Sequence, residues 1–405
     1  NTSYGTNGNV TIGGAYGMWP RWNGGLNLNH RSARFNVYGS YNYSHREQQQ
    51  DLGLYRSLTE HNELRVYDQT NSIRQQSGYQ AGKIGADYFI SKGHTIGVMA
   101  DVASSNRDNP SYSTTRMGNG RIVDSVLYTT PNDASRWRRG AYNINYRGIL
   151  DTTGKELNVD VDYARNTNRQ YDEILALTRD ALGKGIFGSD TTRSNQPSNI
   201  EIKTAKIDYV HPLKNQGKLE AGVKVSFVTS DNDARFDSLR GHSWVLDENR
   251  SNHFIYKENI NAAYINFNKQ YKKLNVQVGV RGEQTHITGN SMSVKGEQDR
   301  EVKNDSSYFN LFPSTALTYT LNKNNTLGLT YSRRIQRPGY EDLNPFEFYL
   351  DRYTKEAGNP NLKPQYSNNF EITHTFRQFL ITSLGYSHTR DMLTKILEAD
   401  VDQAT

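Results

Sequence analysis

The sequence has no cysteine among its 405 residues, and no apolar run in it exceeds five residues. The first absence removes disulfides and thiolate metal sites. The second removes a membrane-spanning helix, which needs about 20 consecutive apolar residues. Blocks of one charge sign are missing too: 48 basic and 42 acidic residues are interspersed and leave a balance of +6, so no nucleic-acid partner is expected. Ten histidines are scattered without HExxH or paired spacing, and neither a metal nor another cofactor is expected. Hydrophobic residues amount to only 35%, with a mean hydropathy of −0.82. Such polarity permits disorder, but 27 tyrosines within an 11% aromatic content argue for an ordered, polar, tyrosine-rich architecture.

What is present is alternation with a period of two. Leu274, Val276, Val278 and Val280 alternate with Asn275, Gln277, Gly279 and Arg281. Leu157, Val159, Val161 and Tyr163 do so with Asn158, Asp160, Asp162 and Ala164, and Leu219, Val223, Val225 and Phe227 with Glu220, Gly222, Lys224 and Ser226. Successive side chains of a strand point to opposite faces, so each segment reads as a strand with one aliphatic and one wet face. Tight polar turns join these strands in pairs at Arg31 to Arg34, Ser91 to His94, Asp151 to Gly154, Lys214 to Gly217, Tyr271 to Lys273, Asn322 to Asn325, and Arg377 with Gln378. Between pairs lie long stretches at 46–78, 105–136, 169–199, 232–252, 289–305 and 339–364, which read as loops. Short turns on one side and long loops on the other are the arrangement of an outer-membrane barrel.

The expected fold is therefore all-β: a transmembrane antiparallel up-and-down barrel, with about 15 strands in this chain. Tyrosines at the strand ends (Tyr41, Tyr43, Tyr88, Tyr163, Tyr209, Tyr331, Tyr386) suit the headgroup boundary. A soluble sandwich or propeller is disfavoured by the strand lengths and by the lack of a blade-like repeat. Asp172–Lys184, with Ile174, Leu175, Leu177 and Leu182 at helical spacing, predicts a short helix within one loop. Asp160, Asp162, Lys224, Arg281 and Glu283 are expected to line a polar lumen, to meet water or a plug, and to perform no catalysis; the protein is not expected to be an enzyme.

One segment carries more than a pattern. Arg333, Arg334, Arg337, Pro338, Tyr340, Asp342, Leu343, Asn344, Pro345 and Phe346 are followed by Gly358, Asn359, Pro360, Asn361, Leu362, Lys363 and Pro364. Prolines here end strands, while Gly358 and Asn359 tolerate turns. Asp342 is expected to anchor the loop base among the three arginines, which in a functional reading would bind an anionic ligand at the mouth. The segment resembles the barrel of the TonB-dependent outer-membrane receptors of the Bacteroidetes type, with Gln365 where a glutamate is usual.

That resemblance implies a place in the bacterial outer membrane, a 22-stranded transporter class with a plugged lumen, and import of a ligand by TonB-coupled gating. Residues 1–405 would then be barrel alone, with plug, signal peptide and last strands outside them. The implied partners are outer-membrane lipid, the TonB complex reached through the plug, a surface lipoprotein and the imported ligand. The other readings are a surface-binding or adhesion barrel, and a passive porin. The strand holding Val10 and the strand Thr382 to Ser387 are not expected to pair with each other.

Overall fold

The computed structural model describes residues 4–60, 63–293, 300–343, 347–351, 354–359 and 361–396. Strands dominate. In chain order they are β1 (Gly5–Tyr16), β2 (Pro20–Arg31), β3 (Phe35–Glu60), β4 (Glu63–Ser91), β5 (His94–Gly118), β6 (Val123–Ile149), β7 (Glu156–Asp180), β8 (Ile186–Leu213) and β9 (Gly217–Arg240). There follow β10 (Ser243–Leu246), β11 (Asn252–Tyr271), β12 (Leu274–Ser293), β13 (Arg300–Asn322) and β14 (Asn325–Gln336). A single helical turn, α1 (Tyr340–Leu343), precedes a small hairpin of β15 (Glu347–Asp351) and β16 (Thr354–Ala357), and β17 (Gln365–Phe376) and β18 (Leu380–Arg390) close the order. Every pairing is antiparallel and nearest-neighbour, from β1 through β9, β11 to β14, then β17 and β18, with β10 folded back on β9. That is an up-and-down meander of 15 strands in series.

The seven tight turns predicted from the sequence all lie at one end, as expected, while strand extension leaves connections as short as 17–19 and 119–122 at the other. Two of the seven use left-handed backbone without glycine: Asn215 and Gln216 at φ 60° and 59°, and Arg377 and Gln378 at 48° and 58°. Two consecutive positive φ angles give the turn whose twist matches that of the strands it joins.

Residues opposite each other in an antiparallel ladder share a face, so the registers carry sidedness from strand to strand. Asp160 lies opposite Lys206, Lys206 opposite Lys224, Lys224 opposite Ala262, and Ala262 opposite Glu283. The predicted polar set is thus one continuous inner face. The other face carries Leu157, Val159 and Val161 on β7 and Leu274, Val276, Val278 and Val280 on β12, as the alternation predicted. Ile144 (60% exposed), Val161 (49%) and Val278 (43%) show how openly this outer belt meets its surroundings. In water such a belt would be costly; against hydrocarbon it is the favourable face. Ring pairs border it: Phe35 and Tyr88 at the turn end (4.9 Å), Tyr142 and Tyr163 at the far end (6.3 Å), and Phe370 between Tyr331 (4.7 Å) and Tyr386 (6.5 Å).

Two expectations fail for a common reason. Most of 46–78, 105–136, 169–199 and 232–252 is strand, not loop: β4 runs for 29 residues and β8 for 28. Beyond the lipid both faces of a hairpin are wet, so alternation disappears from the sequence while the hydrogen-bond ladder continues. The predicted helix at 172–184 is likewise the end of β7, with Ile174 inward and Leu175 outward, followed by a turn at 181–185. Local helical spacing had no face to pack on, whereas two neighbouring strands offered a ladder on each side. Among the described residues β1 pairs only with β2 and β18 only with β17, and no ladder joins β1 to β18.

Candidate functional site: the inner wall and a segment docked on it

The inner face is a lattice of short polar contacts. Asn143 donates to Asp162 (2.7 Å), Asn36 donates to Asp87 (3.1 Å), and Arg147 grips Glu156 with two nitrogens (3.1 and 2.9 Å). Lys206 pairs with Asp208 (2.5 Å), whose carboxylate also accepts from the Tyr264 hydroxyl. Asp160 and Lys224 occupy the same face.

Past the end of β14 the chain turns back onto this wall. Arg337 donates to Glu283 (2.6 Å) and to Thr285 (2.9 Å), and its Nε stands 3.9 Å from Glu258. Arg281 donates to the other oxygen of Glu283 at 2.6 Å. Two arginines and two glutamates therefore interlock where water has largely been excluded, since Glu283 is only 8% exposed. Pro338 is buried directly after. Leu343, at the end of α1, packs with Phe254 and Tyr256 of β11 and Ile287 of β12, with Tyr308 and Leu362 at the margin. The Tyr256 hydroxyl donates to Glu258 (3.1 Å), and burial beside that carboxylate pushes its phenol well above the usual range, so it remains a donor at any physiological pH.

The motif residues separate by role. Asp342 accepts the Gly339 amide (2.8 Å) and lends its carbonyl to the Asn359 amide (2.7 Å), tying the two ends of the segment together. The Asn359 side chain accepts the Asn361 amide (2.9 Å), and the Leu362 amide reaches the Asn359 carbonyl (3.2 Å). Among the described residues no ion pair joins Asp342 to the arginines, contrary to expectation. Arg333 faces outward over the Tyr366 ring (5.2 Å), Arg334 faces inward opposite Ser367, and only Arg337 enters the docked cluster. Alternation along β14 forces that split, because consecutive arginines must take opposite faces. Gly358 and Pro364 are half-buried and Lys363 is exposed; Tyr340 opens α1. Asn344, Pro345 and Pro360 lie outside the described residues. Glu283 is corrected as well: it was expected to face water or a plug, and the chain's own Arg337 covers it.

Sequence reasoning missed Glu258, Thr285 and the apolar seat. The signal was there in Phe254, Tyr256 and Ile287, which are apolar on the face that should be wet and so mark where something docks.

A second inner-face feature is a carboxylate pair. Asp133 and Asp172 stand opposite each other on β6 and β7. Asp133 lies nine residues beyond the boundary ring of Tyr142, about 30 Å along the strand and outside the lipid belt. Burial and the Asp172 charge push the Asp133 carboxyl up to about 6. Gln170, Ser194 (2.9 Å) and Gln196 (3.2 Å) donate to Asp172, and Gln170 also reaches Asp133, at 3.5 Å. A carboxyl whose folded pKa is raised adds stability that is complete below its unfolded value near 4 and is lost as the pH rises through 6. Amide exchange along this part of the β6–β7 hairpin, corrected for intrinsic rates, should therefore slow between pH 7.5 and 5. Asp133→Asn should abolish that pH dependence; an unchanged dependence in the variant would refute the assignment.

With this geometry in hand, comparison with known proteins is informative. Residues 149–405 match the outer membrane protein beta-barrel family. A search of curated proteins finds no match. Among solved structures, the ferric-catecholate import receptor Fiu from K12 E. coli, in its closed form, is 11% identical over 96% of this chain and 58% of its own, with a TM-score of 0.62. The alcaligin outer membrane receptor FauA from Bordetella pertussis is 14% identical over 99% of this chain and 54% of its own, with a TM-score of 0.50. The chain thus spans little more than half the length of either structure, and at these identities the likeness concerns the fold. The matched model covers more than half of the chain and the apolar outer belt agrees with it: this is a bacterial outer-membrane protein that belongs to the outer membrane protein beta-barrel family.

Proposed function

We propose that the chain is the barrel wall of an energy-coupled importer of the TonB-dependent, Bacteroidetes type, acting by binding and transport without catalysis. The observation that carries the reading is the inner wall: across 15 strands in series it is predominantly charged and hydrogen-bonded, and among the described residues two small buried apolar clusters interrupt it, one at Phe254, Tyr256 and Ile287 and one at Tyr67, Met117 and Leu127. A sheet of that width encloses more space than its own side chains fill, which suits a wall around a separate plug. The open edges of β1 and β18 agree, because unpaired backbone in hydrocarbon costs several kcal/mol per group and calls for further strands to complete the wall. The similar folds of an import receptor, Fiu, and of an outer membrane receptor, FauA, support the same class. On this reading the plug displaced through TonB, the ligand at the outer mouth and a surface lipoprotein are the partners.

The test is uptake by cells whose only copy is this protein. Accumulation of its ligand should collapse when TonB is deleted or the proton gradient is discharged, while surface binding persists. Uptake indifferent to both would establish a passive pore, and binding with no uptake an adhesion barrel.

A further inference from the structure

Along the inner wall Lys83, Arg147, Lys206 and Arg281 each pair with a carboxylate. Arg46 of β3, Arg107 of β5 and Arg139 of β6 do not. All three are exposed, and among the described residues no hydrogen bond or ion pair holds their guanidinium groups. Asp133, one inward step above Ser135 on β6, senses the Arg107 charge but forms no ion pair with it.

The registers gather these arginines around one patch. Arg46 and Arg107 lie on either side of Ser77, and one inward step closer to the membrane Tyr79 and Trp137 lie on either side of Ser105. A further step down, Arg139 stands opposite Ala103. Trp137 and Arg139 share the strand parity of Asn143, whose side chain meets Asp162 in the lumen, so the patch faces inward. Arg139 is three residues, about 10 Å, beyond the Tyr142 ring at the end of the lipid-facing belt. The patch therefore lines the mouth, on the side away from the short turns.

Each part of the patch suits a different part of a ligand. Tyr79 is 40% exposed and, like Trp137, stacks on no other ring among the described residues. Strands β4 and β6 are two spacings, about 9.6 Å, apart, which leaves room for one further ring between the two faces. The arginine levels above and below that slot are about 14 Å apart along the strands, so acid groups to either side of the ring would each meet a guanidinium. Around the slot lie Ser44, Ser105, Asn42 and Asn166, whose side chains have no hydrogen-bond partner among the described residues. Hydroxyls and carboxamides offer both donors and acceptors. A flat aromatic acid has too few groups to engage them, whereas a sugar unit has C–H faces for the rings and hydroxyls at its edge.

We propose that this patch binds an acidic oligosaccharide, with Tyr79 and Trp137 against the two faces of one sugar ring and Arg46, Arg107 and Arg139 on the carboxylate or sulfate groups of its neighbours. Guanidinium groups take such oxygens in paired hydrogen bonds. The proposal rests on the import reading and gives its substrate class.

The intact receptor, purified from outer membranes in nonionic detergent, can be titrated calorimetrically with tetragalacturonate, a sulfated chondroitin tetrasaccharide, neutral maltotetraose and phthalate. At least one of the two acidic sugars should bind, and more weakly as salt rises. The neutral sugar and phthalate should each bind at least about tenfold less tightly, for want of one of the two kinds of contact. Arg107→Gln with Arg139→Gln should lower the affinity about tenfold or more, the loss of two charge-assisted contacts. Trp137→Ala should lower it too while keeping the salt dependence, with heat-modifiable gel mobility verifying each fold. Should the double variant not fold, Arg46→Gln carries the same comparison. Failure of both acidic sugars to bind, equal affinity for maltotetraose or phthalate, or unchanged affinity in the arginine variant would overturn the proposal. Import itself is tested separately: TonB-dependent uptake of some other ligand would keep import and remove this site, whereas sugar binding with uptake indifferent to TonB would keep the site and remove import.

Discussion

Replacing Val278 with arginine should destabilise the barrel in lipid by about 2 to 4 kcal/mol, whereas arginine at the adjacent Gln277 should change it by no more than about 0.5 kcal/mol. Val278 sits within the outward aliphatic column of β12, where a guanidinium would have to be desolvated in hydrocarbon or drawn to the interface at the expense of local bilayer order. Gln277 points into the wet lumen opposite Asn268 and Ala316, and a longer cation there reaches water. The measurement is a urea titration of folding into lipid vesicles, read by gel mobility. Equal costs at the two positions would refute the facing assignment and, with it, the membrane reading of the alternation.

The second large effect concerns Arg337. Its substitution by alanine should weaken docking of the segment between β14 and β17 by about 1.5 to 3 kcal/mol, the range for hydrogen bonds to charged groups. Two such bonds end on Glu283 and Thr285, and Glu283 would remain buried with Arg281 as its ion-pair partner among the described residues. Leu343 and Leu362 would still favour the apolar seat, so the segment should open more often without the barrel unfolding. Hydrogen exchange at the Asn359 and Leu362 amides should speed up roughly tenfold or more, in keeping with that free-energy range, while the β11–β12 ladder should keep its protection. Arg337→Lys should restore part of the loss, since it keeps the charge but not the forked geometry. Unaltered exchange in Arg337→Ala would show that the apolar seat alone holds the segment.

The sequence alone determined those features for which each residue's solvent is fixed by its neighbours two positions away. Between lipid and lumen, Val276, Val278 and Val280 against Asn275, Gln277 and Arg281 must alternate, so strands, sidedness and the tight turns were legible. Above the lipid that contrast is gone. Residues 46–78 and 169–199 looked like loops, and Asp172–Lys184 like a helix, because only the partner strands make them continuous ladder. The motif from Arg333 to Pro364 could be recognised but not apportioned. Which arginine turns inward depends on the strand parity of β14, and what it meets depends on Glu258 and Glu283, which lie 79 and 54 positions earlier in the chain. Tertiary structure alone decides such a contact, because it joins groups whose spacing in sequence carries no period and whose cost of burial is offset only when both arrive at the same place.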